Sequence, residues 1–74
     1  MDRYYFCIDV GGTTIKGGIV DENNNIICKS RVQTEPKENQ SYLTDSIMEL
    51  INKLEDMSGL LVKDSCGVAA GVPG

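Results

Sequence analysis

The chain has 74 residues, of which 11 are acidic, 7 are lysine or arginine and none is histidine, giving a formal net charge of −4. A chain of this length forms one small domain, which buries only about 60% of the surface of its unfolded state and is marginally stable alone. The negative charge argues against binding to DNA or RNA, which requires cations that displace counterions from phosphates.

Two β-strands are predicted at the start of the chain. Residues 4–10 are rich in aromatic and β-branched side chains and end at Gly11 and Gly12, as is typical of a strand that enters a turn. Residues 13–20 resume the β-branched pattern, so the two glycines are predicted to form a hairpin turn in which a positive φ carries no steric penalty. The second strand therefore runs antiparallel to the first.

A third strand is predicted after residues 21–25, which are turn-forming aspartate, glutamate and asparagine residues. Alternation along residues 26–33 separates a buried set of side chains from a mostly solvated set. The buried set is Ile26, Cys28, Ser30 and Val32, and the outer set is Ile27, Lys29, Arg31 and Gln33. Because charged side chains protect the edges of sheets from further pairing, Lys29 and Arg31 favour an edge position for this strand.

A helix and a fourth strand are predicted in the second half of the chain. Residues 34–39 are polar and include Pro36, which indicates a connection. Apolar residues then recur at helical spacing, namely Leu43, Ile47, Leu50, Ile51, Leu54 and Met57. Gly59 is predicted to end the helix in a left-handed conformation. Residues 66–70 are small and without polar alternation, as expected of a strand covered on both faces.

This order of elements predicts an α/β fold. Three strands form an antiparallel meander, one helix crosses over the sheet, and the fourth strand runs parallel to the first. The cysteines Cys7, Cys28 and Cys66 are far apart and lack the C-x-x-C spacing of zinc or redox sites, so they are predicted to be reduced and buried. Since no apolar run suits a signal peptide or a membrane span, we expect a cytoplasmic protein that does not contact membranes.

Residues 9–18 combine an acid, two threonines, a lysine and four glycines, a set that suits a nucleotide phosphate and its metal ion. Adjacent glycines followed by a strand do not fit the Rossmann pattern, and Ile19 follows the last glycine where a Walker loop has lysine. Asp9 ends an apolar strand beside the turn, where it could hold Mg²⁺ through water molecules. The alternative is structural: the loop closes a hairpin, Asp9 caps a strand, and Gly17 and Gly18 mark a bulge or close packing.

Two segments together resemble a known family. Residues 8–21, IDVGGTTIKGGIVD, resemble the first phosphate motif of the ROK family of bacterial sugar kinases and sugar-responsive repressors. Residues 67–74, GVAAGVPG, resemble the family's next glycine-rich strand, which ends in Gly-x-Pro-Gly. The resemblance covers the chain and implies the actin-like, ribonuclease-H-like ATPase fold, whose first lobe begins with the same order of strands and helix.

The resemblance also implies binding roles for both segments. Contacts to ATP and Mg²⁺ would come from Asp9, Gly11, Gly12, Thr13, Thr14 and Lys16, with Asp9 holding the metal through water. Thr14 replaces a lysine that is common in the family, so Thr14 could instead serve only in strand pairing. Lys16 could instead be a solvated charge on the strand. The sugar would lie beside Gly71, Val72, Pro73 and Gly74.

The implied reaction is transfer of the γ-phosphoryl group of ATP to a hydroxyl of a hexose or amino sugar. The family's general base, its zinc site and its second phosphate motif have no counterpart in this sequence. We therefore expect residues 1–74 to be the N-terminal part of an actin-like ATPase domain, inactive alone and able to self-associate as a homodimer. Alternatives are a sugar-responsive regulator without its DNA-binding domain and a nucleotide-binding module without transferase activity; the first strand begins close to Met1, which favours the kinase.

Overall fold

The computed structural model describes residues 3–34 and 41–71, with only the backbone described at residues 41 and 42. Its regular elements are β1 (Tyr4–Val10), β2 (Thr14–Asp21), β3 (Ile26–Gln33), α1 (Ser41–Ser58), a short 3-10 helix (Val62–Asp64) and β4 (Val68–Gly71). The order of strands and helix agrees with the sequence prediction, which did not include the 3-10 helix. The predicted polar connection, residues 34–39, lies outside the described residues except for Thr34.

The strands form one mixed sheet with the order β3-β2-β1-β4. Strand β2 is antiparallel to both β1 and β3, whereas β4 is parallel to β1. The predicted meander, the parallel fourth strand and the edge position of β3 are therefore confirmed. The parallel pairing places the carboxyl end of β4 beside that of β1, which is the end that enters the loop at Gly11.

Helix α1 covers one face of the sheet and packs on β2 and β3. The largest fully buried side chains among the described residues are Phe6, Ile15, Ile19, Leu50 and Leu54. Leu50 and Leu54 belong to the predicted apolar face of the helix, which therefore contributes to the centre of the core. Met57, which continues the same helical spacing, is 58% exposed. Leu60 and Val62, which follow α1, pack against the core.

A bulge in the β2–β3 ladder changes the predicted alternation at the start of β3. Ile19 pairs with Cys28 and Val20 pairs with Ile26, so Ile27 is an extra residue. Ile27 and Cys28 both pack against the core, whereas Ile26 is 64% exposed. The assignment of Ile26 to the buried set and Ile27 to the outer set is therefore wrong, because a bulge places two residues opposite one and shifts the side-chain period.

Gly17 lies at a close approach between the helix and the sheet. A Cβ atom at this position would lie 2.8 Å from Leu50 Cδ2 and 3.1 Å from the carbonyl oxygen of Cys7. At Gly18, a Cβ would lie 3.0 Å from the carbonyl oxygen of Cys28. Of the two structural interpretations for these glycines, close packing is confirmed, while the bulge lies elsewhere in the ladder.

The end of α1 is tied to the segment that leads into β4. Gly59 has a φ of 75° and its N–H donates to the carbonyl oxygen of Glu55 at 2.8 Å, which confirms the predicted left-handed end of the helix. The Glu55 carboxylate accepts a hydrogen bond from the N–H of Val62 at 2.9 Å. The Tyr4 hydroxyl donates to the carbonyl oxygen of Leu61 at 2.7 Å, so this segment is also attached to β1.

Strand β4 is exposed at all four of its residues. The covering that the sequence predicts for this strand is not supplied by residues 3–34 and 41–71. All three cysteines have free thiols; Cys7 and Cys28 are half-buried and Cys66 is exposed, so the prediction of burial is wrong for Cys66. Within the described part of the chain, α1 is too polar to pass through a bilayer.

Candidate functional site

The loop between β1 and β2 is held by backbone hydrogen bonds from both of its sides. We call Gly11, Gly12 and Thr13 the glycine loop. The N–H of Gly11 donates to the carbonyl oxygen of Thr14 at 2.8 Å, and the N–H of Thr34 donates to the carbonyl oxygen of Thr13 at 2.8 Å. Because Thr34 follows the end of β3, the loop is fixed by all three strands of the meander.

The two glycines of the loop serve different purposes. A Cβ atom at Gly11 would lie 2.8 Å from the carbonyl oxygen of Thr14, whereas one at Gly12 would have no neighbour within 4 Å. The predicted hairpin between β1 and β2 is confirmed, but neither glycine has a φ in the left-handed region, so the positive φ expected of the turn is wrong. Gly11 is required by the close approach of two backbone segments, and Gly12 leaves the backbone of the loop open to a ligand.

A cavity of about 340 Å³ lies beside the glycine loop. Its lining consists of Asp9, Gly11, Gly12, Thr13, Thr14, Lys16 and Arg31. All six residues that the sequence assigned to the nucleotide and its metal thus line one space, which we call the loop cavity. Arg31 was not assigned to the site from the sequence, which explained it only as a charge on an edge strand.

Strand register brings Arg31 to this cavity. Asp9 pairs with Lys16 between β1 and β2, and Lys16 pairs with Arg31 between β2 and β3. Cross-strand partners project from the same face of a sheet, so the three side chains form a row, which we call the charged row. All three residues are exposed, on the face opposite α1. The sequence shows the positions of these three charges along their strands, but the row becomes apparent only when the register between the strands is known.

The same face of the sheet carries a larger cavity of about 630 Å³, which is continuous with the charged row. Gly17 and Gly18 are in its lining, and Lys29 adds a third cation to Lys16 and Arg31. Three of the chain's 7 lysine and arginine residues therefore lie around this cavity, with Asp9 as its single acid. The local charge is opposite in sign to the net charge of the chain, and the two cations that also line the loop cavity, Lys16 and Arg31, favour an anionic ligand there.

The donor set suits magnesium better than zinc. Asp9 is the one carboxylate in the lining of the loop cavity, and the described residues contain no cluster of three or more histidine, cysteine or acidic side chains. Mg²⁺ commonly binds through one or two carboxylates, water and the phosphates of a substrate. An open loop backbone, two threonine hydroxyls, a carboxylate and two cations can together hold a phosphate chain with its metal ion.

The segment assigned to the sugar begins beside the loop cavity. Gly71 is the last residue of β4 and pairs with Asp9 of β1. The other three residues of that assignment, Val72, Pro73 and Gly74, lie outside the described residues. The parallel pairing of β1 and β4 therefore brings Gly71, the first of the four residues assigned to the sugar, next to Asp9.

Comparisons with known proteins point to one family. A sequence model of the ROK family matches residues 5–74. A glucokinase from Halalkalibacterium halodurans is 30% identical over 73 residues, which are 99% of this chain and 22% of the relative. An N-acetyl-D-glucosamine kinase from Vibrio parahaemolyticus is 41% identical over 51 residues, or 69% of this chain and 17% of the relative.

A solved structure is similar over nearly the whole chain. It is a ROK family glucokinase from Streptomyces griseus in complex with glucose and AMPPNP, with a TM-score of 0.75 and 27% sequence identity. The match covers 96% of this chain and 20% of the glucokinase. The chain thus spans about a fifth of the length of the kinases that it matches.

Proposed function

The chain belongs to the ROK family, and from that premise we propose that it is the ATP-phosphate-binding segment of a sugar kinase. The kinase transfers the γ-phosphoryl group of ATP to a hydroxyl of a hexose or an amino sugar. The observation that carries this proposal is the loop cavity, in which a glycine loop, two hydroxyls, a carboxylate and two cations converge. Relatives that are glucokinases and N-acetyl-D-glucosamine kinases support a kinase rather than a transcriptional regulator.

The nucleotide end of the proposed site is built from the loop backbone and the strands beside it. The open backbone at Gly12 allows close approach of a phosphate, and the hydroxyls of Thr13 and Thr14 can donate hydrogen bonds to its oxygens. Lys16 supplies a point charge from β2. Asp9 would hold Mg²⁺ through water molecules, and the ion would supply positive charge that offsets the negative charge of the phosphates.

The sugar end of the proposed site begins at Gly71. Its pairing with Asp9 supports a sugar that binds beside that carboxylate, where an acceptor hydroxyl would be close to the phosphates of ATP. Phosphoryl transfer depends largely on positioning and on stabilising charge. The two motifs are attached to β1 and β4, which are neighbours in one sheet, and this attachment would help to position the sugar relative to ATP.

We expect residues 1–74 to be inactive without the remainder of a kinase. The sequence contains no histidine, and it has no counterpart of the family's general base or second phosphate motif. Strand β4, exposed at every residue, offers an edge and two faces on which further protein can pack. That further protein would be the remainder of the kinase, and a second copy of the chain is the alternative.

Kinase assays of the full-length protein test this function. The protein should release ADP from MgATP in the presence of glucose or N-acetylglucosamine, and the 74-residue chain should not. Asp9→Asn should lower turnover by about 100-fold or more, since it removes a charge that holds the metal at the reacting phosphates. Asp56→Asn is the matched control, because Asp56 is an exposed acid of α1, outside the lining of the loop cavity.

Two results would contradict the proposal. Unchanged turnover in Asp9→Asn would refute the metal-binding role of that carboxylate. Absence of sugar-dependent ADP release with every hexose and amino sugar tested would argue against a kinase, and sugar-dependent binding to DNA by the same full-length protein would then identify a regulator.

A further inference from the structure

Arg31 reaches the loop cavity from the third strand of the meander. It lies in β3 and lines both the loop cavity and the larger cavity on the same face. Neighbouring strands lie about 4.8 Å apart, so two strand spacings place its Cα roughly 10 Å from that of Asp9, with Lys16 between them. A long arginine side chain in this position can reach a phosphate chain held between the glycine loop and Asp9.

The backbone of Arg31 is held on three sides although its side chain is exposed. The ladder with β2 pairs it with Lys16, and the neighbouring Val32 is only 5% exposed within the core. The Nζ of Lys53, on α1, donates to the carbonyl oxygen of Arg31 at 3.3 Å. The backbone of Arg31 is therefore held in place, and ligand binding has to order only its side chain.

Two cations in one row suit a polyphosphate better than a single phosphate. Lysine binds phosphate as a point charge, whereas the planar guanidinium of arginine can donate two parallel hydrogen bonds to one phosphate group. Lys16 and Arg31 are the two positive side chains in the lining of the loop cavity. Together they extend the positive surface along the row, away from the glycine loop.

We propose that Arg31 is a phosphate-binding residue of the nucleotide site, which it enters from β3 to hold the polyphosphate of ATP together with Lys16. This inference rests on the proposed function, since it adds a residue to the same site. It also assigns the two cations of β3 to different roles. Lys29 protects the edge strand, and Arg31 binds the nucleotide.

Lys29 makes the matched control for this proposal. It lies on the same strand and the same face as Arg31, is also exposed, and pairs with Gly18, one row farther from the glycine loop. Lys29 lines the larger cavity and is not in the lining of the loop cavity. If Arg31 served only to protect the edge, substitution of either residue would have the same effect.

The test is equilibrium binding of MgATP, MgADP and AMP to the full-length protein by isothermal titration calorimetry. Arg31→Gln should weaken MgATP binding by about 10-fold or more, as expected for the loss of charge-assisted hydrogen bonds. AMP binding should change by less than about 2-fold, which also shows that the variant is folded. The affinity of Arg31→Lys for MgATP should fall between those of the wild type and Arg31→Gln, because lysine keeps the positive charge but cannot donate two parallel hydrogen bonds. The affinity of Lys29→Gln for MgATP should match that of the wild type.

The outcomes separate this proposal from the function on which it rests. If the wild type binds MgATP and Arg31→Gln binds it as tightly as Lys29→Gln does, the role of Arg31 is refuted and the nucleotide site stands. Equal weakening of AMP and MgATP in Arg31→Gln would also refute it, since the effect would then lie outside the polyphosphate. If the wild type binds no MgATP, both proposals fail.

Discussion

Alanine substitution of each glycine in the loop should separate the stability of the loop from its ability to bind phosphate. At Gly11, the new Cβ would lie 2.8 Å from the carbonyl oxygen of Thr14, against at least 3.4 Å for an ordinary contact, so the two groups must separate by 0.6 Å. The same oxygen accepts the N–H of Gly11 at 2.8 Å. The separation therefore stretches that hydrogen bond beyond its usual range of roughly 2.7–3.2 Å.

These geometric changes set the expected magnitudes. A net backbone hydrogen bond contributes about 1 kcal/mol, and a forced backbone shift costs about 1–3 kcal/mol, so Gly11→Ala should lower the free energy of unfolding by about 1–3 kcal/mol. At Gly12, a Cβ would have no atom within 4 Å, and the residue has no left-handed φ. Gly12→Ala should therefore be neutral or stabilise by up to about 1 kcal/mol through the unfolded state. Its methyl group should instead obstruct phosphate in the loop cavity.

Urea unfolding of the 74-residue chain, followed by far-UV circular dichroism, measures the first effect, and MgATP titration of the full-length protein measures the second. The expected pattern is loss of stability in Gly11→Ala and loss of MgATP affinity with full stability in Gly12→Ala. If both variants unfold with the same free energy, to within about 0.5 kcal/mol, the close approach at Gly11 does not constrain the loop.

Three further predictions concern the rest of the chain. A hydrogen bond from the N–H of Asn25 holds the pKa of the Asp21 carboxyl below its usual 3.8. Asp21→Ala should therefore destabilise the protein above about pH 5, and its difference from wild type in urea unfolding should disappear as the pH falls through the folded-state pKa; a difference independent of pH would contradict this. Gly59→Ala should cost about 1–2 kcal/mol in the same assay because the residue has a φ of 75°, and equal stability would show that the helix can end in another way. In brief iodoacetamide labelling read by mass spectrometry, exposed Cys66 should react before Cys28, whose pKa is raised by burial; labelling of Cys28 first would contradict this order.

Local patterns were sufficient to predict the elements of the fold and most of the candidate site. The β-branched strands, the helical spacing that includes Leu50 and Leu54, and the helix end at Gly59 all depend on nearby residues, and each agrees with the structure. Six candidate residues lie between Asp9 and Lys16, so a single hairpin is enough to bring them together. Their binding of ATP and Mg²⁺ stays a prediction.

The errors arose where the structure depends on contacts between distant segments. Arg31 joins the loop cavity through the β2–β3 register, which alternation within one strand does not determine. Met57 is exposed, whereas Leu60 and Val62, which follow α1, pack against the core. Position 11 requires glycine because a Cβ atom there would collide with the backbone of Thr14, and not because of its φ. The sequence alone does not distinguish these two reasons for a glycine.

The bulge at Ile27 has a consequence for how this hairpin tolerates insertions and deletions. It lies between the Asp21–Asn25 turn and the part of β3 that contains Arg31. Because this bulge holds one extra, unpaired residue, loss of one residue on its turn side can be absorbed there while Arg31 stays opposite Lys16. We expect length variation among related sequences to concentrate on the turn side of the bulge. A one-residue change between the bulge and Arg31 would instead transfer the guanidinium to the helix-covered face and remove it from the cavity.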